Sequence, residues 1–306
     1  MAMSETRLAI KVDVDTDRGT REGVPALLDL FDELGIRATF LFSLGPDNTG
    51  RAIKRIFRPG FFSKVARTSV VSTYGLRTLL NGVLWPGPHI GRRNEAVMRA
   101  ARDRGHEIGI HCYDHIRWQD GLSSMTRAQV YAEFAKACKE FERIFGEPAK
   151  TAGAAGWQAN ASSLAAYDDA GLAYASDARG THPFFPQANG TTYKTLQMPT
   201  TLPTLDELLG RPEYPRARLA DHYFYLIQPN RENVLTAHAE IEGMAEIAWF
   251  RGFLRAARDR RLQFLRLDHM AATVLQQPDR VPVCLLTDGH IDGRSGTLAT
   301  QRCQAV

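Results

Sequence analysis

Two carboxylates stand two residues apart in AIKVDVDT (residues 9–16), and two imidazoles stand four apart in HCYDH, at His111 and His115. One carboxylate and two neutral imidazoles are ligand types that hold a catalytic divalent cation and leave positions open for water. Asp15, His111 and His115 are therefore the candidate metal ligands. A bound cation lowers the pKa of its water to about 7, but a nearby base must still take the proton during attack. Asp13, on the same strand face as Asp15, is the candidate base, with coordination by both carboxylates as the competing reading. His238, which closes LTAH far along the chain, is the candidate acid for a leaving group. Each feature alone has a plainer explanation: an edge strand with a solvated face, two ordinary polar histidines, a structural histidine.

The elements that must position these groups are legible in the spacing. Leu8, Ile10, Val12 and Val14 alternate with Lys11, Asp13 and Asp15, which predicts a strand with one packed and one polar face. EGVPALLDLFDELG places Leu27, Leu28, Phe31 and Leu34 at helical spacing and stops at Gly35, after which RATFLFSLGPDN reads as strand and loop. The same phrase of helix, glycine and strand recurs before HEIGIHCYDH, EPAKTAGAAGW and LAYASDARG, and NVLTAHAE, a long helix and LQFLRL close the series. Alternating strands and helices predict a parallel sheet, and six or more units predict a closed or nearly closed α/β barrel. Strand ends in such a barrel converge on one face. That gathers Asp13, Asp15, His111, His115, Trp157, Asp177, Arg179 and His238 around one mouth.

Composition narrows the class. The chain has 306 residues, 44% of them hydrophobic, enough for a full core as one large domain or two smaller ones. The formal charge of +4 does not demand a nucleic-acid partner. Cys112, Cys138, Cys284 and Cys303 form no C-x-x-C pair and no dense framework, which favours a reducing compartment. No segment before Leu8 resembles a signal peptide, and no window of about 18 uncharged apolar residues predicts a membrane span. The expectation is a cytoplasmic protein.

Two segments break the rhythm. From Asn48 to Asn94 there is no acidic residue, while Arg51, Lys54, Arg55, Arg58, Lys64, Arg67 and Arg77 are interleaved with Phe57, Phe61, Phe62, Tyr74 and Trp85. Basic residues beside bulky apolar ones suit a membrane interface with anionic headgroups, so the insertion (46–94) is a candidate docking element. The plainer alternative is a helical hairpin with a solvated basic face. The tail over 276–306, with DGHIDGRSG, is read as irregular or a small hairpin.

These residues in this order resemble the polysaccharide deacetylase family, also known as the NodB-homology or carbohydrate esterase 4 family. The DVD, the H-x-x-x-H, the late strand end closing on His and the strand–helix rhythm carry the likeness over roughly 8–270. It implies a distorted (β/α) barrel of the NodB type, a divalent metal, zinc before manganese, cobalt or nickel, and hydrolysis of an N-acyl group on a sugar. By that pattern Asp13 is the base, Asp15, His111 and His115 bind the metal, and His238 is the acid. Thr16, Arg18, Tyr113, Trp157, Gln158, Asp177, Arg179 and Glu240 surround them as substrate-binding or supporting groups.

VDVDTDRGTREGVP, FSLGPDNTGR, LWPGPHIGRRN, LPTLDELLGR and AHAEIEG narrow the likeness to the branch that deformylates 4-deoxy-4-formamido-L-arabinose on undecaprenyl phosphate. That likeness implies a lipid-linked formamido sugar as partner, the cytoplasmic leaflet of the inner membrane as workplace, no nucleic acid, and a role in lipid A modification and polymyxin resistance. One departure stands out. An arginine commonly follows the Gly-Trp and steadies the base, and here the residue is Gln158, so either Arg179 substitutes or the base is tuned differently. Three other readings remain: a non-haem iron oxygenase with two His and one carboxylate, another N-deacetylase of amino sugars, and a sugar-lipid binding protein with a decayed site.

Overall fold

The computed structural model describes residues 6–52, 81–83 and 85–303. Most of the expected basic insertion, residues 53–80, lies outside the described residues. The chain runs through β1 (Arg7–Val14), β2 (Thr39–Ser43), β3 (Glu107–Cys112), β4 (Thr151–Ala152), β5 (Tyr174–Ala175), β6 (Phe185–Ala188), β7 (Thr191–Thr192), β8 (Leu196–Gln197), β9 (Asn233–His238), β10 (Gln263–Leu265), β11 (Val283–Gly289) and β12 (Leu298–Arg302).

β1 is the centre of the sheet, not an edge: its apolar face is buried in the core, and Lys11 and Asp13 on the other face are buried as well. It pairs in parallel with β9 along its length, and on its other side first with β10 and then with β2. β2, β3, β4, β5 and β8 follow in order, all parallel. Past β8 the chain leans on β9: Thr201 and Leu202 donate backbone N–H groups to Val234 O at 3.1 and 3.2 Å, and the Thr200 and Thr236 hydroxyls meet at 2.7 Å. The sheet thus curls into the distorted barrel that its rhythm predicts.

The period of two sorts β1 into two interiors. Leu8, Ile10, Val12 and Val14 are buried in the large cluster with Leu27, Leu28 and Phe31 of the helix Val24–Leu34 and with Phe250 and Phe253 of the helix Ile247–Asp259. Each such side chain contributes on the order of 2 kcal/mol through burial. Lys11 and Asp13 point the other way, into the barrel, and are as buried as the apolar set. A solvated polar face is therefore not what the alternation signals here.

Helix boundaries follow local chemistry. The helix Arg127–Phe145 begins at a Thr126/Gln129 capping box and stops at Gly146, φ 76°. The helix Ala161–Ala170 is capped by Asn160 and ends at Gly171.

Of the two readings of the tail, the hairpin is the one the structure has. β11 and β12 form an antiparallel pair, β11 runs parallel to β6, and β6 turns back on β7 through Asn189-Gly190, making a four-stranded second sheet. Cys284 and Cys303 are joined by a disulfide within it, a pairing that cysteine spacing did not signal. Among the described residues no helix is long and apolar enough to cross a membrane.

Candidate active site

The two histidines reach one point because the chain changes element between them. His111 is near the end of β3, and His115 opens the helix His115–Gly121 after a two-residue bend. Asp114 caps that helix, its Oδ1 accepting the Arg117 N–H at 3.0 Å, while Oδ2 accepts the Asn48 amide at 2.6 Å. The rings lie 5.3 Å apart. Asp15, just past β1, places Oδ1 3.2 Å from His111 Nε2 and 3.4 Å from His115 Nε2.

The protonation pattern favours a cation there. His111 Nδ1 lies 2.6 Å from Gly153 O, and a carbonyl oxygen only accepts, so Nδ1 carries the proton and Nε2 presents a lone pair. Asp15 Oδ1 is buried with no hydrogen-bond partner. Buried lone pairs converging without a donor are costly, and the three residues are grouped closely enough to hold one metal ion. Burial alone would raise the Asp15 carboxyl; were the two rings protonated instead, the positive charges of His115 and His111 would more than offset it and hold the carboxyl well below the usual carboxylate range, a place that a bound cation would take.

Asp13 and His238 flank this cluster. Asp13 Oδ1 is buried without a hydrogen-bond partner, 3.9 Å from His111 Nδ1. Its Oδ2 faces Lys11 Nζ at 3.4 Å. Lys11 crosses the barrel to donate to Ser176 O at 3.2 Å. A Cβ on Gly153 would collide with Leu41 Cδ1 at 2.4 Å, while its 3.5 Å from the Lys11 ammonium would be ordinary contact. The charge beside the candidate base is therefore Lys11, so of the two alternatives raised by the missing arginine, Arg179 does not substitute and Asp13 is tuned differently. Arg179 is bound to Glu207 Oε1 and to Leu202 O, and the Gln158 amide donates to Thr297 O at 2.7 Å instead of to Asp13.

Trp157 and Glu240 sit against the same groups. Trp157 is buried at a left-handed φ of 53°, after Gly156 at 62°, a costly backbone for a bulky residue. Its Nε1 donates to Thr200 Oγ1 at 3.1 Å, and its ring meets that of His238 edge-on at 6.2 Å. Glu240 Oε1 accepts from the backbone of Asp15 and Thr16 and from the Thr16 hydroxyl. A Cβ on Gly19 would overlap that carboxylate. Burial, with the Asp15 charge added, pushes Glu240 up to about 8, and its Oε1 braces the β1 turn. Glu242 Oε2 accepts the His238 N–H at 2.8 Å and is pushed to about 8 by burial.

The remaining expected residues stand farther from the reacting groups. Asp177 is fully buried, accepts from Ala154 N at 2.6 Å and from the Gln197 amide at 2.9 Å, and is pushed by burial to about 6; it braces the β4 and β5 ends. Arg18 pairs with Glu22 on the surface. The Tyr113 hydroxyl faces His89 at 3.5 Å. Sequence reasoning missed Lys11, although the alternation put it on the Asp13 face, and it missed Glu242.

The comparisons agree with this geometry. The polysaccharide deacetylase family pattern matches residues 12–175. A Shewanella sediminis protein named as a probable 4-deoxy-4-formamido-L-arabinose-phosphoundecaprenol deformylase is 37% identical over 297 residues, 97% of this chain and 95% of its own length. A Wigglesworthia glossinidia brevipalpis protein of the same name is 31% identical, over 93% of this chain and 98% of its own. A Mycobacterium smegmatis structure assigned to the polysaccharide deacetylases shares the fold at a TM-score of 0.63 and 16% identity, over 95% and 97% of the two chains. The chain belongs to the polysaccharide deacetylase family and is a hydrolase acting on amide bonds.

Proposed function

We propose that the protein hydrolyses the formamide of 4-deoxy-4-formamido-L-arabinose carried on undecaprenyl phosphate, releasing formate and the free 4-amino sugar. The reading rests on the convergence of Asp15, His111 and His115 beside Asp13 and His238, together with the names of the relatives that span nearly the whole chain. Asp15, His111 and His115 would hold a divalent cation, zinc in this reading, which supplies Lewis-acid polarisation of the formyl oxygen and a more acidic water.

Asp13 accepts the proton of the attacking water through Oδ1, the oxygen with no hydrogen-bond partner. Lys11 fixes the other oxygen by charge. His238, held edge-on by Trp157, delivers a proton to the departing sugar nitrogen. The bond broken is the formyl C–N bond, the bond formed joins water oxygen to the formyl carbon, and the two products share the two water protons.

Residues 51–77 dock the protein to an anionic membrane surface, in keeping with a lipid-linked substrate, and the workplace is the cytoplasmic leaflet. This part rests on sequence, since residues 53–80 lie outside the described residues. Next to them Val83 and Trp85 are 51% and 42% exposed. The product is the aminoarabinose lipid used for lipid A modification and polymyxin resistance.

The test incubates purified protein with formamido- and acetamido-arabinose linked to undecaprenyl phosphate, with and without chelator, and quantifies released acid. Formate release lost with chelator is the expected result. Acetate alone assigns the protein to another N-deacetylase, and neither acid leaves only a binding role.

A further inference from the structure

The loop between β11 and β12 has no periodic pattern, yet it is fastened at the barrel mouth on three sides. Arg211 Nη2 pairs with Asp292 Oδ2 at 2.7 Å. A Cβ on Gly293, φ 84°, would lie 2.4 Å from Glu207 O, so the loop backbone rests directly on the helix Leu205–Leu208. At the far end the Gln158 amide holds Thr297 O. Between these points Arg294 is carried inward, its side chain 13% exposed. Its guanidinium lies 4.3 Å over the ring of Trp157, the ring that meets His238.

Three cations surround that ring, at 5.2 Å for Lys11, 5.4 Å for Arg179 and 4.3 Å for Arg294. Two of them are committed within the protein: Lys11 to Asp13 and Ser176 O, Arg179 to Glu207 and Leu202 O. Among the described residues the Arg294 side chain makes one hydrogen bond, Nη1 to Glu207 Oε1 at 3.2 Å, an oxygen that Arg179 already occupies. Burial opposes its charge, and Asp206, Glu207 and the ligand Asp15 more than offset that. Its place over the Trp157 ring, which itself meets His238, puts this charge beside the reaction centre. A guanidinium has five N–H donors in a planar fork; one is used on Glu207 Oε1, and the 13% exposure of the side chain leaves the others open to an incoming acceptor.

We infer that Arg294 binds the phosphodiester oxygens of the substrate, reading the group attached one sugar ring away from the amide under attack. The assignment rests on the proposed phosphate-linked substrate. The fork geometry suits two phosphate oxygens at once, which a lysine does not reproduce. It also gives the C-terminal hairpin a role in substrate selection.

The test uses the full chain loaded with metal, as wild type, Arg294→Met and Arg294→Lys. Two substrates are compared: the undecaprenyl-phosphate-linked formamido sugar, and the methyl glycoside of the same sugar, which lacks phosphate. Losing a charge-assisted hydrogen bond should make R294M lose about 30-fold more kcat/KM on the phosphate-linked substrate than on the glycoside. R294K should keep part of the difference, and inorganic phosphate should inhibit both variants more weakly than wild type. Equal losses on both substrates, no loss on either, or unchanged inhibition by phosphate overturns the assignment. If R294M does not fold, the R294K substrate ratio and phosphate inhibition decide in the same way. Wild type that releases formate from neither substrate overturns the functional reading, and this one with it, before any variant is compared.

Discussion

Asp13 and His238 are register partners on the adjacent parallel strands β1 and β9. Residues in register on neighbouring strands project to the same side of a sheet, so the base and the acid enter the barrel together, one strand spacing apart. This supports a division of labour in which neither group holds the metal. Asp13→Asn and His238→Ala should each lower kcat by about 10³-fold while metal stoichiometry stays at the wild-type level. Full turnover in either variant removes that residue from the mechanism.

Lys11 is the buried counter-charge of Asp13. Removing one partner of a buried ion pair strands the other charge, at a cost of about 3 kcal/mol. Lys11→Met should therefore lower the urea midpoint and the activity together. Asp13→Asn placed on top of Lys11→Met should recover stability, although not activity. A double variant no more stable than Lys11→Met alone would falsify the pairing.

Asp15, His111 and His115 supply the candidate ligand set. Substituting any one by alanine should reduce bound metal and abolish turnover. In wild type, metal at a hundredfold above its Kd should stabilise the fold by about 3 kcal/mol. Tm measured with and without chelator checks this, and identical values argue against a metal centre at these residues.

Glu107 concerns stability at a distance from the site. Burial, with the Asp268 charge added, pushes it up to about 7 from an unfolded value of 4.5. Below pH 4.5 both states hold the proton and the contribution is complete. Between 4.5 and 7 the unfolded chain has released the proton and the folded chain retains it, so stability falls as pH rises. Glu107→Gln keeps an acceptor for Thr39, Tyr174 and Asp268 N and should gain on the order of 2 kcal/mol relative to wild type on going from pH 4.5 to 8. Parallel pH slopes in urea unfolding would contradict it.

Neutralising the basic residues within 51–77 should release the protein from vesicles containing anionic lipid while leaving hydrolysis of a short, water-soluble formamido glycoside close to wild type. Each basic residue near such a surface contributes about 1 kcal/mol. Co-sedimentation unchanged by the substitutions would leave the segment without a docking role.

The sequence by itself pointed to the barrel, its strand ends and the five candidate residues that the structure brings close together. Those signals are local: alternation in β1, glycine stops such as Gly35 and Gly146, and paired residue types at strand ends. Only the tertiary structure decided which charge stands beside Asp13, because Lys11 and Arg179 are both basic and local patterning says nothing of distance across a barrel. It also decided the tail, since β11 pairs with β6 nearly a hundred residues earlier and Arg294 reaches Trp157 through contacts that no periodicity encodes. Short-range signals set the backbone; partners brought together by chain closure are fixed by packing, which the linear order does not contain.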